Sequence, residues 1–239
     1  QISRSSRSIM GEGRVPRHIG FILDGNRRWA RLHGLPTYEG HMAGVTALED
    51  VLEACVDHGV EYVSFYTWST ENWKRAAAEV RATMRVFRSI FGRELKRMIS
   101  EGCKFVMMGD ETGIPADLLK MIKKAECDSA NGTRATLVMC FNYGGQQEIV
   151  RAARRAIEAG VDGDDLTLEN FTAYLDHPEI PPCDLIVRTS GEKRLSNFML
   201  WRAAYAEMMF LDKFWPEMTA GDVTVILDEY NKRERRFGG

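Results

Sequence analysis

The chain has 239 residues, 44% of them hydrophobic, and its 32 Lys and Arg against 34 Asp and Glu give a formal net charge of -2. That length supports one sizeable core in a single domain, and so even a charge balance argues against a nucleic-acid partner, leaving any anion site to a local cluster of cations. Five cysteines, Cys55, Cys103, Cys127, Cys140 and Cys183, form no close pair and leave one over, which fits a reduced, cytoplasmic setting; no apolar run approaches the roughly 20 residues that span a bilayer, so contact with the inner membrane face would be peripheral.

Gln1 to Pro16, rich in Ser and Arg, is expected to be a flexible amino-terminal arm, with 17–239 as the folded domain. Ile19 to Leu23 read as a buried strand that stops at the turn-forming Asp24-Gly25. In an open α/β sheet, ligands bind outside the carboxyl tips of the strands. There Asp24 offers oxygen to Mg2+, while Asn26, Arg27 and Arg28 open a helix running through Trp29 to Leu32, whose amino terminus attracts anions. One carboxylate and two guanidiniums on one turn suit a metal-diphosphate ligand. A plain strand-turn-helix corner accounts for this stretch equally well.

Tyr38 to His41 lead into a longer helix with Met42, Val45, Leu48, Val51, Leu52 and Cys55 at helical spacing. His41 stands at its entrance, outside that stripe, where a capping role and a phosphate contact are both open. Tyr62 to Trp68 form a second strand and complete a βαβ unit. Its tip carries Ser69, Thr70, Glu71, Asn72, Trp73, Lys74 and Arg75, and an indole among charges is expected to pack over a surface or stack on a ligand. Ala76 to Ser100 read as one helix of about 24 residues and roughly 36 Å, apolar over more than one face, which suits core packing, a subunit interface or the wall of an elongated cavity.

Lys104 to Met108 are the third strand, Pro115 to Ala130 a helix, and Ala135 to Phe141 a nearly all-apolar fourth strand, as a central parallel strand should be. Asn142-Tyr143-Gly144-Gly145 come next, whose glycines permit a close backbone approach or a sharp turn into a helix from Gln146 to about Ala159. After a short helix around Leu168 to Leu175 comes the fifth strand, Asp184 to Arg188. Arg194, Leu195, Ser196 and Asn197 then read as the start of another helix, so that Arg188, Arg194 and the Ser196 hydroxyl converge at a helix amino terminus as a diphosphate cradle. A last strand, Ala204 to Phe210, bears Glu207, a carboxylate seldom buried unless paired or on a metal. A helix from Asp222 to Tyr230 ends the fold, and Arg233 to Gly239 either complement its carboxyl terminus or offer amides to a phosphate.

Taken together, His18 to Trp29, Ser69 to Arg75, Asn142 to Gly145, Arg188 to Glu192 through Asn197-Phe198, Trp201, Ala204 to Glu207 and Arg233 to Gly239 resemble the cis-prenyltransferases, the undecaprenyl diphosphate synthase family, over about Pro16 to Gly239. The resemblance implies an α/β fold with a single largely parallel sheet of about six strands flanked by helices, an elongated apolar tunnel and a homodimer. It implies Mg2+ and the condensation of isopentenyl diphosphate with an allylic diphosphate, farnesyl or geranyl, with Z stereochemistry, toward an undecaprenyl-type product that passes to the membrane. Asp24 and Asn72 would be catalytic, with Asp24 and Glu207 at the metal. Asn26, Arg28 and His41 would hold the allylic diphosphate, with Gly25 permitting close backbone approach, and Arg27, Trp29, Thr70 and Glu71 would also bind substrate. Ser69 and Asn72 would lie beside the reacting carbons, Trp73 would pack by the site, and Arg75 and Glu79 would border the tunnel mouth. Arg188, Arg194 and Ser196 would hold isopentenyl diphosphate, and Arg236 and Gly238 would reach a partner subunit's substrate. Two departures leave the starter and the product length open: Thr37 stands where many members place arginine, and Ala135, small at a position of the tunnel floor, would leave room that Phe141 and Met139 could fill. A noncatalytic subunit and an unrelated phosphate-binding hydrolase are the competing readings.

Overall fold

The computed structural model describes residues 14–92 and 94–233. Six parallel strands, β1 (His18–Ile22), β2 (Tyr62–Ser69), β3 (Lys104–Met108), β4 (Thr136–Tyr143), β5 (Leu185–Arg188) and β6 (Glu207–Phe210), form one sheet in the order β3-β4-β2-β1-β5-β6. The helices are α1 (Asn26–Leu32), α2 (Thr37–Asp57), α3 (Ala77–Gly92), α4 (Glu94–Ser100), α5 (Ala116–Asp128), α6 (Gly145–Glu158), α7 (Leu168–Thr172) and α8 (Ala220–Lys232). The sheet and its flanking helices match the expected plan. The chain moves from β1 to β2 on one side and later returns to place β5 on the other, so the crevice at the carboxyl ends of β1 and β5 is the switch point where such sheets bind ligands.

The helix expected over 76–100 is described as α3 and α4, on either side of residue 93, which lies outside the described residues. One expected element differs. No helix begins at Arg194. Ser196, Asn197 and Met199 have φ of 48°, 65° and 46°, a left-handed conformation that side-chain-bearing residues do not propagate into a helix, and turns take its place. Of the expected amino-terminal arm, residues 1–13 lie outside the described residues.

Alternation along the strands divides the interior. Phe21, Phe65, Leu137 and Met139 enter the larger cluster, shared with Val45 and Leu48 of α2 and Phe87 and Ile90 of α3. Ile22, Val138, Cys140 and Ile186 face a smaller one with Phe198 and Met199. Each such fully buried side chain contributes about 1.5–3 kcal/mol relative to exposure. Near the strand tips the alternation breaks: Tyr66 pairs with Cys140, then Trp68 with Phe141, then Ser69 with Tyr143. Thr67 on β2 and Asn142 on β4 are therefore supernumerary. Thr67 Oγ1 donates to the Cys140 carbonyl at 3.0 Å, and Asn142 takes a φ of 49°. This bulge re-aims the side chains beyond it, so Trp68 joins Phe65 and Phe141 on the face of the larger cluster.

Candidate active site

Asp24 lies just past the tip of β1, and Arg188 is the last residue of the neighbouring β5, in register with Ile22. Arg188 Nη2 donates to Asp24 Oδ2 at 2.8 Å, and Arg28 Nη2 lies 3.7 Å from Asp24 Oδ1. Arg28 also pairs with Glu192 at 3.2 Å, and Glu192 pairs in turn with Arg194. The Thr189 hydroxyl donates to the Asp24 carbonyl at 2.7 Å and accepts from the Asp24 amide at 3.0 Å, which fixes the turn. Arg188 is only 4% exposed. Its Nη1 donates to the Arg194 carbonyl at 2.6 Å and to Ser196 Oγ at 2.7 Å, so a guanidinium, in place of the expected helix start, shapes the loop that carries the second basic cluster. Gly25 has φ 109° and precedes α1; a Cβ there would sit 2.7 Å from Phe214 Cδ1, so glycine is required by conformation and by space.

The opposite wall comes from the loop after β2. Asn72 Oδ1 accepts from the Ser69 amide at 3.0 Å, while the Ser69 hydroxyl donates to the Glu71 carboxylate. Trp73 packs edge-on against Trp68, with ring centroids 5.3 Å apart, and its Nε1 donates to Asn142 Oδ1 at 2.7 Å. Glu79 holds Arg75 at 3.1 Å and Arg27 at 3.2 Å. His41 lies beside them, its pKa pushed down to about 4 by burial first and then by Arg75 and Arg27 against Glu79. The imidazole is therefore neutral.

Between the walls lies a cavity of about 300 Å³. Asp24, Asn26, His41, Ser69, Asn72 and Arg188 line its polar part; Val45, Leu48, Phe87 and Ile90 line its apolar part. Asn26 Oδ1, His41 Nε2, Arg188 Nε and the nearby Ser190 Oγ are buried with no partner. Leaving such atoms unsatisfied costs about 1–3 kcal/mol each, and their convergence marks a place where a polar ligand completes the structure.

Not every expected residue is here. Trp29 stacks on His33 with ring centroids 4.3 Å apart and lies outside the cavity lining. Thr70 lines a different cavity with Asp110, Arg151 and Arg154, and Arg27 a side cavity with Thr37 and Glu79. Glu207 is not brought to Asp24 within the chain. It begins β6 in register with Leu185, at the opposite end of β5 from Arg188, and pairs with Arg233 at 3.1 Å. Because β6 is two strands from β1, the sheet itself keeps the two carboxylates apart. Arg236 and Gly238 lie outside the described residues. In return the structure adds Thr189, Ser190, Glu192 and Asn142. The first two come directly after a strand-tip residue, the one signal in the sequence that points to them.

Among the described residues no three His, Cys, Asp or Glu side chains gather as a metal cage. The donors present fit Mg2+ held jointly by Asp24 and phosphate oxygens, since Mg2+ is commonly bound through one or two carboxylates with substrate phosphates and water. No helix among the described residues is long and apolar enough to cross a membrane.

The family model for undecaprenyl diphosphate synthase matches residues 22–238. An isoprenyl transferase of Thermotoga maritima is 40% identical over 95% of this chain and 98% of its own, and one of Fusobacterium nucleatum is 41% identical over the same shares. Among solved structures, lavandulyl diphosphate synthase from Lavandula x intermedia, in complex with dimethylallyl diphosphate, superposes with a TM-score of 0.91 at 30% identity, covering 94% of this chain and 99% of that one. A probable undecaprenyl diphosphate synthase from Campylobacter jejuni superposes with a TM-score of 0.80 at 29% identity, covering 96% and 100%. With a strand-tip Asp24–Arg188 pair over a half-apolar cavity and relatives matched along nearly their whole length, the chain belongs to the undecaprenyl diphosphate synthase family of isoprenyl transferases.

Proposed function

We propose that this prenyltransferase condenses isopentenyl diphosphate with an allylic diphosphate, forms a Z double bond and uses Mg2+ as its cofactor. The observation that carries the reading is the shared Asp24–Arg188 pair, from which two cationic clusters fan out above one apolar cavity. On the α1 side, Arg28, Asn26 and neutral His41 face the allylic diphosphate. On the β5 side, Arg188, Arg194 and Ser196 hold isopentenyl diphosphate, with guanidiniums that match phosphate bidentately. The dimethylallyl diphosphate in the lavandulyl diphosphate synthase structure supports an allylic ligand at such a site.

In the reaction, the allylic carbon–oxygen bond breaks and its electron pair leaves with diphosphate; the isopentenyl double bond supplies the pair for the new carbon–carbon bond, and one proton is lost. Bound Mg2+ would neutralise charge on the departing diphosphate. Arg28 and Arg188 are fixed by Glu192, Ser196 and Asp24 before substrate arrives, so they stabilise that charge without reorganising. Diphosphate oxygen is one acceptor for the proton. The other route runs past Asn72 to the Ser69 hydroxyl, which already donates to Glu71. The test is incorporation of labelled isopentenyl diphosphate by the purified chain with Mg2+ and an allylic diphosphate. Asp24→Ala is expected to lower the rate by about 10²–10³ or more; near-full turnover would refute Asp24's role, and release of inorganic phosphate without elongation would favour hydrolysis.

A further inference from the structure

The cavity behind the site is short. An apolar cavity of about 150 Å³ accommodates one benzene, six carbons, so the 300 Å³ here hold about a dozen, before any room is given to diphosphate. On the same scale an undecaprenyl chain of fifty-five carbons needs about 1,400 Å³. Among the described residues the cavity at the site is therefore short beside the long tunnel expected from the family resemblance.

Named residues close it. The bulge at Thr67 and Asn142 sets Trp68 and Phe141 side by side in register on the helix-facing side of the sheet. Phe87 of α3 meets both edge-on, with ring centroids 6.2 Å from Trp68 and 4.8 Å from Phe141. All three are buried, and Trp73 braces Trp68 edge-on. Trp68 and Phe87 line the cavity beside Ser69, where the new bond would form, and Phe141 packs against Phe87 outside the lining. The other way onward passes Val45, Leu48 and Ile90, which are common to the main cavity and to a deeper space lined by Phe65, Phe105 and Met139. That space measures about 20 Å³, too little for one five-carbon unit.

We propose that this chain is a short-chain synthase: Trp68 and Phe87, with Phe141 packed against them, stop growth after one or two additions, and the product leaves with about ten to fifteen carbons. The inference rests on the prenyl-transfer reading and adds to it the size of both starter and product. Dimethylallyl and geranyl chains fit the cavity with room for a further unit or nearly so, whereas a farnesyl-length chain fills it and leaves no room for another.

The experiment incubates the purified full chain with Mg2+, labelled isopentenyl diphosphate and dimethylallyl, geranyl or farnesyl diphosphate in turn, and reads product length by mass spectrometry. Products of fifteen carbons or fewer are expected, with kcat/KM for farnesyl diphosphate at least about tenfold below that for geranyl diphosphate, the scale on which pockets discriminate apolar chain length. Phe141→Ala should lengthen the products by one or more five-carbon units. Phe87→Leu, a milder change, should do so to a lesser extent. Main wild-type products of twenty carbons or more, or variants with an unchanged product distribution, would overturn the proposal. Absence of any incorporation would instead overturn the prenyl-transfer reading on which it rests.

Discussion

Two histidines, one fully buried and one half-buried, give the fold a pH dependence that can be worked out in advance. His18 is fully buried in β1; its Nδ1–H donates to the Pro181 carbonyl at 2.8 Å and its Nε2 accepts the Ser64 hydroxyl at 2.7 Å. Burial holds its pKa at about 4, with Arg202 acting in the same direction. His41, near the entrance of α2, is held at about 4 by burial and by Arg75 and Arg27. In the unfolded chain both protonate near 6.5. The unfolded state thus binds more protons below that pH, so stability is fully present above about pH 6.5 and is lost as pH falls toward 4. A depression from 6.5 to about 4, at about 1.36 kcal/mol per pH unit, amounts to about 3 kcal/mol per histidine at pH 4 and about 2 kcal/mol at pH 5. Together they remove about 4 kcal/mol at pH 5, a large part of a typical stability of about 5–15 kcal/mol. Urea unfolding monitored by circular dichroism at pH 8, 7, 6 and 5 measures this in a window where carboxylates remain ionised. His41→Gln should reduce the slope by about half, as one of the two protons is removed. A profile flat to within about 1 kcal/mol between pH 7 and 5 would show that the two rings are already protonated in the fold or are open to water.

Gly25→Ala would place a methyl group 2.7 Å from Phe214 Cδ1 and 3.1 Å from Ser190 Oγ at φ 109°, a strain of about 1–3 kcal/mol. The melting temperature should fall by about 2–4 °C per kcal/mol lost, with weaker allylic diphosphate binding; an unchanged melting temperature and affinity would mean that Phe214 moves aside freely. Arg188→Lys should raise KM for isopentenyl diphosphate more than for the allylic substrate, because one ammonium cannot reach Asp24, the Arg194 carbonyl and Ser196 together. Steady-state kinetics with each substrate varied in turn would show this, and equal effects on both constants would refute the separation into two sides.

What the sequence disclosed and what it concealed divide along a physical line. The strands were legible because a parallel sheet covered on both faces needs continuous apolar runs, and β3 and β4 supply them. Asp24 and Arg188 were legible because charged residues at strand tips have one place to go in such a fold. The loop at Arg194 was read as a helix because its composition permits one; the left-handed residues at Ser196 and Asn197 are enforced by contacts from Arg188 and from α6, whose Gly145 amide donates to the Asn197 carbonyl at 2.7 Å. The bulge at Thr67 was invisible for a related reason. A run such as Phe65-Tyr66-Thr67-Trp68 reads as simple alternation, and only its pairing with β4 shows that one residue is inserted and that Trp68 turns into the cavity. That Glu207 begins β6 in register with Leu185, away from Asp24 within the chain, could not be read from the sequence, because strand membership does not reveal which end of the sheet a residue occupies.

The resting ion pair explains how so many charges sit at one strand tip without unfolding it. Asp24 balances Arg188 and Arg28, Glu192 balances Arg28 and Arg194, and Glu79 balances Arg27 and Arg75. Taking Arg188 out of water without Asp24 would leave a buried charge uncompensated, a loss of about 3–5 kcal/mol when such a pair is broken. On the proposed reading, a diphosphate would take over from Asp24 and Glu192 as partner of Arg188 and Arg28, which these resting pairs hold apart and aimed. Exchange of these partners is local, since Arg188 keeps its hydrogen bonds to the Arg194 carbonyl and Ser196 whichever anion it faces. On the proposed reading, Asp24 released from Arg188 would be free to serve a cation, and arrival of the anion and recruitment of the metal would be parts of one event at one residue.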